Sequence, residues 1–184
     1  MAFDFNASLF KVLVRYLEPA SGEKILDVGC SRGFYVKALE AHPGVVIGVD
    51  ISEASVATAV SDKVELGDVT NLRFADATFF KVFSLHTIEH VPDLSAFVSE
   101  VGRVLKPGGV AIVVYPWELF RGMQAIGAAA RLYRNPFLAG RVHLHRLTPT
   151  RLAELVARSS LVHRESRLVP AMGLQYMTIL DKES

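Results

Sequence analysis

Five short apolar runs rich in β-branched residues, at 24–28, 45–49, 63–66, 81–85 and 110–115, constrain this chain more than any other feature. Each is too short for a buried helix and largely continuous in its hydrophobicity, the pattern of a strand covered on both faces. Segments of helical composition follow the first, second and fourth runs at 33–41, 53–60 and 93–105, whereas the connection at 67–80 reads as irregular. Parallel neighbours cannot be joined by a tight turn, so strands that alternate with helices specify a parallel sheet with crossover helices.

The flanking segments complete that layout. Leu9, Phe10, Leu13, Val14 and Leu17 recur at helical spacing after a potential Asn6 cap and before Pro19, which predicts a first helix over 7–18. Lys106-Pro107-Gly108-Gly109 stops the fourth crossover and turns the chain back into the sheet. Past the fifth run, 117–134 reads as helical, 149–159 as a helix opened by Thr148 and Pro149, and 161–169 and 172–180 as two strands about Pro170. The expected fold is α/β: a Rossmann-like, doubly wound, mostly parallel seven-stranded sheet with a C-terminal antiparallel hairpin and helices on both faces. With no repeat, low-complexity tract or linker, residues 1–184 read as a single domain.

Composition excludes several classes. Cys30 is the only cysteine, which rules out an internal disulfide or a multi-cysteine zinc site. Lys11 and Arg15 interrupt the first apolar stretch and no run approaches the roughly 18 apolar residues of a membrane span, so no transmembrane segment and a cytoplasmic location are expected. The net charge of +1 conceals an asymmetry: residues 1–120 carry −5 and residues 121–184 carry +6. Between Lys106 and Lys182 every basic residue is arginine, which reads first as a solvated face and not as a strong nucleic-acid signal. His143 and His145 form an HxH pair with no Cys or acid close in sequence, so no metal is expected there and a lid contact is the better reading of His143.

The chemistry concentrates where the first strand ends, in Asp27-Val28-Gly29-Cys30-Ser31-Arg32-Gly33. Open α/β sheets bind ligands at the carboxyl edge of their strands. A dinucleotide fold would place GxGxxG here, but counting from Gly29 the chain has Ser31 and Phe34 where the second and third glycines belong. A ligand without phosphates needs instead a tight turn and an anionic group for a cationic amine, and Asp27 is such a group. Asp50 ends the second run 17 residues after Gly33, where a carboxylate can accept from both hydroxyls of a ribose, and Asp68 follows the third. Singly, each reads as a turn residue or helix cap. Together, at the ends of three successive strands, they form one ligand edge.

These residues carry a resemblance. Ile25-Leu26-Asp27-Val28-Gly29-Cys30-Ser31-Arg32-Gly33 is similar to the first motif of class I S-adenosylmethionine-dependent methyltransferases, commonly Asp-x-Gly-x-Gly-x-Gly, from which it departs only at Ser31. Phe83-Ser84-Leu85-His86-Thr87-Ile88-Glu89-His90-Val91 and Arg103-Val104-Leu105-Lys106-Pro107-Gly108-Gly109 resemble the small-molecule, ubiquinone/menaquinone-methyltransferase-like branch in order and spacing. The resemblance implies S-adenosylmethionine as cofactor, with Asp27, Gly29, Ser31, Gly33 and His86 around it, Asp50 on the ribose, Asp68 on the adenine amino group, and Ile51 and Val69 flanking the adenine ring. It also implies a division of the chain into an N-terminal helix (1–20), a cofactor-binding core (21–115), a lid or substrate-side insertion (116–148) and a last helix with the closing hairpin (149–184).

The acceptor is not legible to the same degree. His86 and His90, just past the fourth strand, are the candidates for cofactor or substrate contact and for proton removal, respectively, against a reading in which Glu89 and His90 only cap the next helix. Tyr115, Trp117 and His143 are candidates for the acceptor wall. Phe120, Met123, Ile126, Ala130, Tyr133 and Phe137 form a helical stripe, with Arg121, Gln124 and Arg131 off it, that could close a pocket or rest on a membrane surface but reads first as packing over the sheet. The expected partner is a small, apolar or aromatic acceptor. A nucleic-acid methyltransferase, a non-catalytic binding module and a nicotinamide oxidoreductase are the rivals.

Overall fold

The computed structural model describes residues 5–171 and 173–183. One seven-stranded sheet runs through it, formed by β1 (Lys24–Val28), β2 (Val45–Asp50), β3 (Val64–Leu66), β4 (Phe79–Leu85), β5 (Leu105–Pro116), β6 (Leu161–Pro170) and β7 (Leu174–Lys182) in the order β3-β2-β1-β4-β5-β7-β6. Every pairing among the first five strands is parallel, and β7 runs antiparallel to both β5 and β6. From β1 the chain winds outward to β2 and β3, then returns to lay β4 against the other side of β1. That reversal opens a crevice above the carboxyl ends of β1 and β4.

Helices cover both faces, because buried strands leave apolar side chains on each. On one face α1 (Ala7–Leu17) and α2 (Phe34–Leu39) contribute Leu9, Leu13, Leu17, Val36 and Leu39 to a core shared with Ile25, Phe83 and Ile112. On the other, α4 (Leu94–Val104) and α7 (Pro149–Val156) contribute Phe97, Val98, Val101, Leu152 and Val156, packed on Leu26, Val82 and Val113. The caps are those that the sequence supplies: Asn6 accepts from Leu9 N at 2.8 Å, and Thr148 accepts from Arg151 N at 3.2 Å.

The observed elements differ from expectation mainly at their ends. The crossover after β2 is only α3 (Glu53–Ala57), and β5 starts at Leu105, which pairs with Phe79 across an irregularity before the regular register resumes at Lys81 and Val110. The predicted helix over 117–134 is broken: a 3-10 turn at Met123–Ala125 leads into α5 (Ile126–Tyr133), followed by α6 (Ala139–Val142). Met172, the first residue of the predicted last strand, lies outside the described residues.

The irregular connection at 67–80 is fixed by one arginine. Arg103 makes paired bonds to the Glu100 carboxylate, both 2.8 Å, and reaches Leu72 O, Phe74 O and Asp76. An Arg fork satisfies several fixed acceptors at once, which lysine cannot do. Arg103→Met is expected to lower unfolding stability by about 2 kcal/mol, read from the urea midpoint, because buried carbonyls lose their donors.

Candidate active site

The turn after β1 is built around a close approach. Gly29 has φ +80°, and a Cβ there would lie 2.2 Å from Thr87 Oγ1, so the loops after β1 and β4 touch where only hydrogen fits. Gly29 N and Cys30 N both donate to Val49 O at 2.9 Å, which folds the turn back over β2. A Cβ on Gly33 would meet Val64 Cγ2 at 2.4 Å, so this position anchors α2 against β3.

Ser31 adopts φ +51°, a left-handed conformation unfavourable to a residue with a Cβ. Asp50 holds it there: one carboxylate oxygen accepts from Ser31 N at 2.7 Å and the other from Ser52 N at 2.9 Å. Ser31→Gly is therefore expected to leave this geometry intact and to change stability by no more than about 1 kcal/mol, the relieved strain offsetting the added chain entropy. Thermal unfolding checks it, and a loss of several kcal/mol would show that the serine hydroxyl is required.

Three carboxylates face the crevice in different states. Asp27 is only 2% exposed, and burial, reinforced by the negative charge of Asp50, holds its pKa well above the ordinary aspartate value. Asp68 closes a turn, accepting from Thr70 N at 2.8 Å and Thr70 Oγ1 at 2.7 Å, which lowers its pKa. Asp50 has both oxygens engaged by backbone but keeps further lone pairs. Burial, reinforced by the charges of Asp27 and Asp50, pushes the Cys30 thiol far above the usual range and leaves it neutral and unreactive.

Past β4 the backbone turns sharply at His86, φ +54°. His86 Nε2 lies 2.5 Å from Gln175 Oε1, whose amide nitrogen is committed to Ala171 O, so the ring donates there. Nδ1 lies 3.4 Å from Glu89 Oε1. Burial alone would lower the His86 pKa, but Glu89 and Gln175 outweigh it and raise the value. Glu89 is fully buried, and although burial opposes its charge, His86 and His90 hold its pKa below the ordinary glutamate value. His90 is the opposite case to His86: its Nδ1 donates to Val142 O at 2.7 Å, leaving Nε2 with a free lone pair, and its side chain is 42% exposed.

Together these groups line a cleft of about 870 Å³. Asp27, Gly29, Ser31, Asp50, Ile51, Asp68 and Val69 lie along it at the ends of β1, β2 and β3, and His86, Thr87 and His90 follow β4. His143 joins them from the segment after α6. Gly33 is not part of the lining and acts one turn behind it.

Two expectations about the acceptor wall are corrected. Tyr115 is fully buried in the core, its hydroxyl 3.0 Å from Thr178 Oγ1 and its pKa pushed up by burial to about 12, because β5 is a central strand with both faces covered. Trp117 is held by backbone bonds to Leu174 O and Gln124 Nε2 and does not line the cleft. The stripe of large apolar residues is also turned round. Phe120, Ile126, Tyr133 and Phe137 face outward, Phe137 at 94% exposure, while Gln124, Ala125, Gly127, Ala128, Arg131 and Leu132 face the cleft. Small residues decide this: Ala125, Ala129 and Ala139 pack into one cluster, and only such side chains let α5 and α6 approach so closely.

Sequence reasoning missed Glu118 altogether. It is buried, accepts from Gly122 N and Gln124 N at 3.0 Å, and receives His143 Nδ1 at 2.8 Å, so one carboxylate organises the whole segment over the cleft. A lone acid in an apolar stretch was the available signal, since burial of glutamate without partners is costly.

Comparison with known proteins agrees with this geometry. A family model described as a methyltransferase domain matches residues 26–113. The chain is 30% identical over 123 residues to a ubiquinone biosynthesis O-methyltransferase of Mesorhizobium japonicum, covering 62% of this chain and 48% of the relative. It is 36% identical over 112 residues to 24-methylenesterol C-methyltransferase 2 of Oryza sativa subsp. japonica, covering 55% and 31%. The chain thus spans about half or less of these relatives' length. Among solved structures, an S-adenosylmethionine-dependent methyltransferase from Mesorhizobium loti superposes with a TM-score of 0.75 at 21% identity, over 96% of this chain and 98% of that one, and shares the fold. The turn after β1, the acids at the ends of β2 and β3 and the match over residues 26–113 agree with one another: this part of the chain is similar to the methyltransferase-domain family.

Proposed function

We propose that the chain binds S-adenosylmethionine along the acidic side of the cleft and transfers its methyl group to a small, apolar or aromatic acceptor held beneath residues 123–133. One observation carries the cofactor half: Asp27 is a buried carboxylate at the tight turn whose charge is opposed by burial and by Asp50, the environment that a ligand ammonium would relieve. The cleft volume of about 870 Å³ lies within the range of small-molecule sites. In this reading Asp27 holds the amine, Gly29, Ser31 and Gly33 shape the turn, and Asp50 offers its remaining lone pairs to the ribose hydroxyls. Asp68 faces the adenine amino group, and Ile51, 69% exposed at the cleft, covers the ring together with Val69.

The bound cofactor supplies an electrophilic methyl group on a sulfonium, whose departure as a neutral thioether needs no proton. The protein's contribution is to hold the acceptor in line and exclude water. Where the acceptor carries a proton, His90 takes it, because its Nε2 lone pair is available, whereas His86, both of whose nitrogens face protein partners, contacts cofactor or acceptor through the carbon atoms of its ring. The relatives named for ubiquinone and sterol substrates support an apolar acceptor, as do Leu9, Leu85, Val91, Ala125, Ala128 and Leu132 in the lining. The test is conversion of S-adenosylmethionine to S-adenosylhomocysteine with a panel of phenols, quinols and sterols. Turnover only with RNA would replace the acceptor assignment, and cofactor binding without turnover would leave a binding module.

A pH dependence follows. With its pKa raised, Asp27 is protonated over a window above the ordinary aspartate value, and an ammonium ligand ionises it. S-adenosylmethionine binding should therefore release a proton in that window and tighten as pH rises through it, by up to about tenfold per pH unit, becoming flat above the raised pKa. Without ligand, the same elevation makes folding stability fall as pH rises from the unfolded to the folded pKa. Calorimetry in buffers of different ionisation enthalpy detects the proton, and Asp27→Asn should abolish the release. Identical proton release in that variant would contradict the role of Asp27.

A further inference from the structure

We infer that Glu89, His90 and His143 form a binding site for one divalent transition-metal ion at the acceptor side of the cleft. One potential ligand atom from each of the three lies within 4.8 Å of the other two, and Glu89 Oε1 is 4.0 Å from His90 Nε2. A tetrahedral ion with bonds of about 2.0–2.1 Å sets its ligands roughly 3.4 Å apart, so the side chains need to close by about 1 Å.

The unoccupied coordination capacity is specific. Both carboxylate oxygens of Glu89 are buried without a hydrogen-bond partner; the His86 ring nitrogen Nδ1 lies 3.4 Å from Oε1, and the remaining lone pairs can take a metal ion. The two imidazoles are set to supply neutral nitrogen. His90 commits its Nδ1 proton to Val142 O, at 2.7 Å. His143 commits its own to the Glu118 carboxylate, at 2.8 Å, which already accepts from two backbone N–H groups and acts purely as an acceptor. Each ring is thereby left with its Nε2 lone pair. A carboxylate or backbone carbonyl on the far nitrogen is how metal-ligating histidines are oriented and made more basic.

The segments that carry the ligands are also fastened to each other. Leu144 N and His145 N donate to Glu89 O at 2.8 and 3.2 Å, and His145 Nε2 donates to Val91 O at 3.0 Å. His143 is thus held against the Ile88–His90 turn by backbone bonds, its ring edge-on to that of His90 with centroids 5.1 Å apart. His145, the other half of the HxH pair, serves this fastening and is not a ligand. Two histidines and one carboxylate leave at least one position of a tetrahedral ion open, the arrangement of ions that act on a further ligand and not of closed structural sites. His90 and His143 both line the cleft, so that position lies on the acceptor side. On the methyl-transfer reading above, which this role alone requires, the ion would take an oxygen of the acceptor and, with the His90 Nε2 lone pair bound, would replace His90 in assisting loss of the acceptor's proton.

The test is titration of the metal-stripped full chain with Co(II), without S-adenosylmethionine. The expected result is visible ligand-field absorption of a low-symmetry, near-tetrahedral ion, saturating at one per chain and displaced by Zn(II). Glu89→Gln, nearly isosteric, and His143→Ala should weaken the affinity by about 100-fold or more, and Glu118→Gln, which touches only the far side of His143, by about 10- to 100-fold. His163→Ala, on β6, should leave it unchanged. Absence of these bands in the wild-type chain would overturn the proposal, as would equal affinity in the His90→Ala/His143→Ala pair, with folding of each variant checked by circular dichroism. Because no cofactor is present, metal binding without methyl transfer and methyl transfer without metal remain distinguishable outcomes.

Discussion

Gly29→Ala is expected to lower unfolding stability by about 3–4 kcal/mol and to close the cofactor end of the cleft. Two effects add. A left-handed residue with a Cβ costs roughly 1–2 kcal/mol, and overpacking typically costs 1–3 kcal/mol more. Both apply, because φ is +80° and the new methyl would sit 2.2–2.7 Å from three side-chain atoms of Thr87. Gly22→Ala separates the two, since Gly22 has φ +84° but nothing within 4 Å of an added Cβ, so it should show the backbone part alone. Removing the obstruction with Thr87→Gly in the Gly29→Ala background should recover the packing part. Urea unfolding of the wild type and these three variants measures this, and equal losses for Gly29→Ala and Gly22→Ala would show that the two loops are not in contact.

Asp50→Ala is expected to weaken S-adenosylmethionine binding by about 100-fold or more. Hydrogen bonds to a charged group contribute about 1.5–3 kcal/mol each, and the variant removes both the acceptor for the ribose and the clamp on Ser31 and Ser52. The double role distinguishes this residue from Asp68, whose carboxylate serves its own turn. Asp50→Asn, which keeps one acceptor oxygen, should fall between wild type and alanine. Affinity unchanged in Asp50→Ala would remove the ribose assignment.

The part of the fold visible in the sequence was the part set by burial on both faces. The runs at 24–28, 45–49 and 81–85 stand out because most side chains past the first residue of each are covered, and the topology then sends their carboxyl ends to one edge, so Asp27, Asp50 and Asp68 converge there. What escaped depended on contacts between distant segments. Lys106–Gly109 has no strand pattern, yet Leu105 is drawn into the sheet by Phe79. Periodicity located an apolar stripe through Phe120, Ile126, Tyr133 and Phe137 but carried no information on what faces it, and the alanines on the opposite side took the inner position. Tyr115 misled for a related reason, since a strand buried on both faces gives an aromatic no preferred direction. The Glu118–His143 pair and the approach of His143 to Glu89 join residues far apart in the chain, where neither spacing nor propensity speaks.

The measurement that tests the central claim most directly is calorimetric titration of the wild-type chain with S-adenosylmethionine, S-adenosylhomocysteine and NAD in parallel. The cleft described above predicts one site for the first two, each protecting the chain against thermal unfolding, and none for NAD. Stabilisation by NAD with no response to S-adenosylmethionine would contradict it.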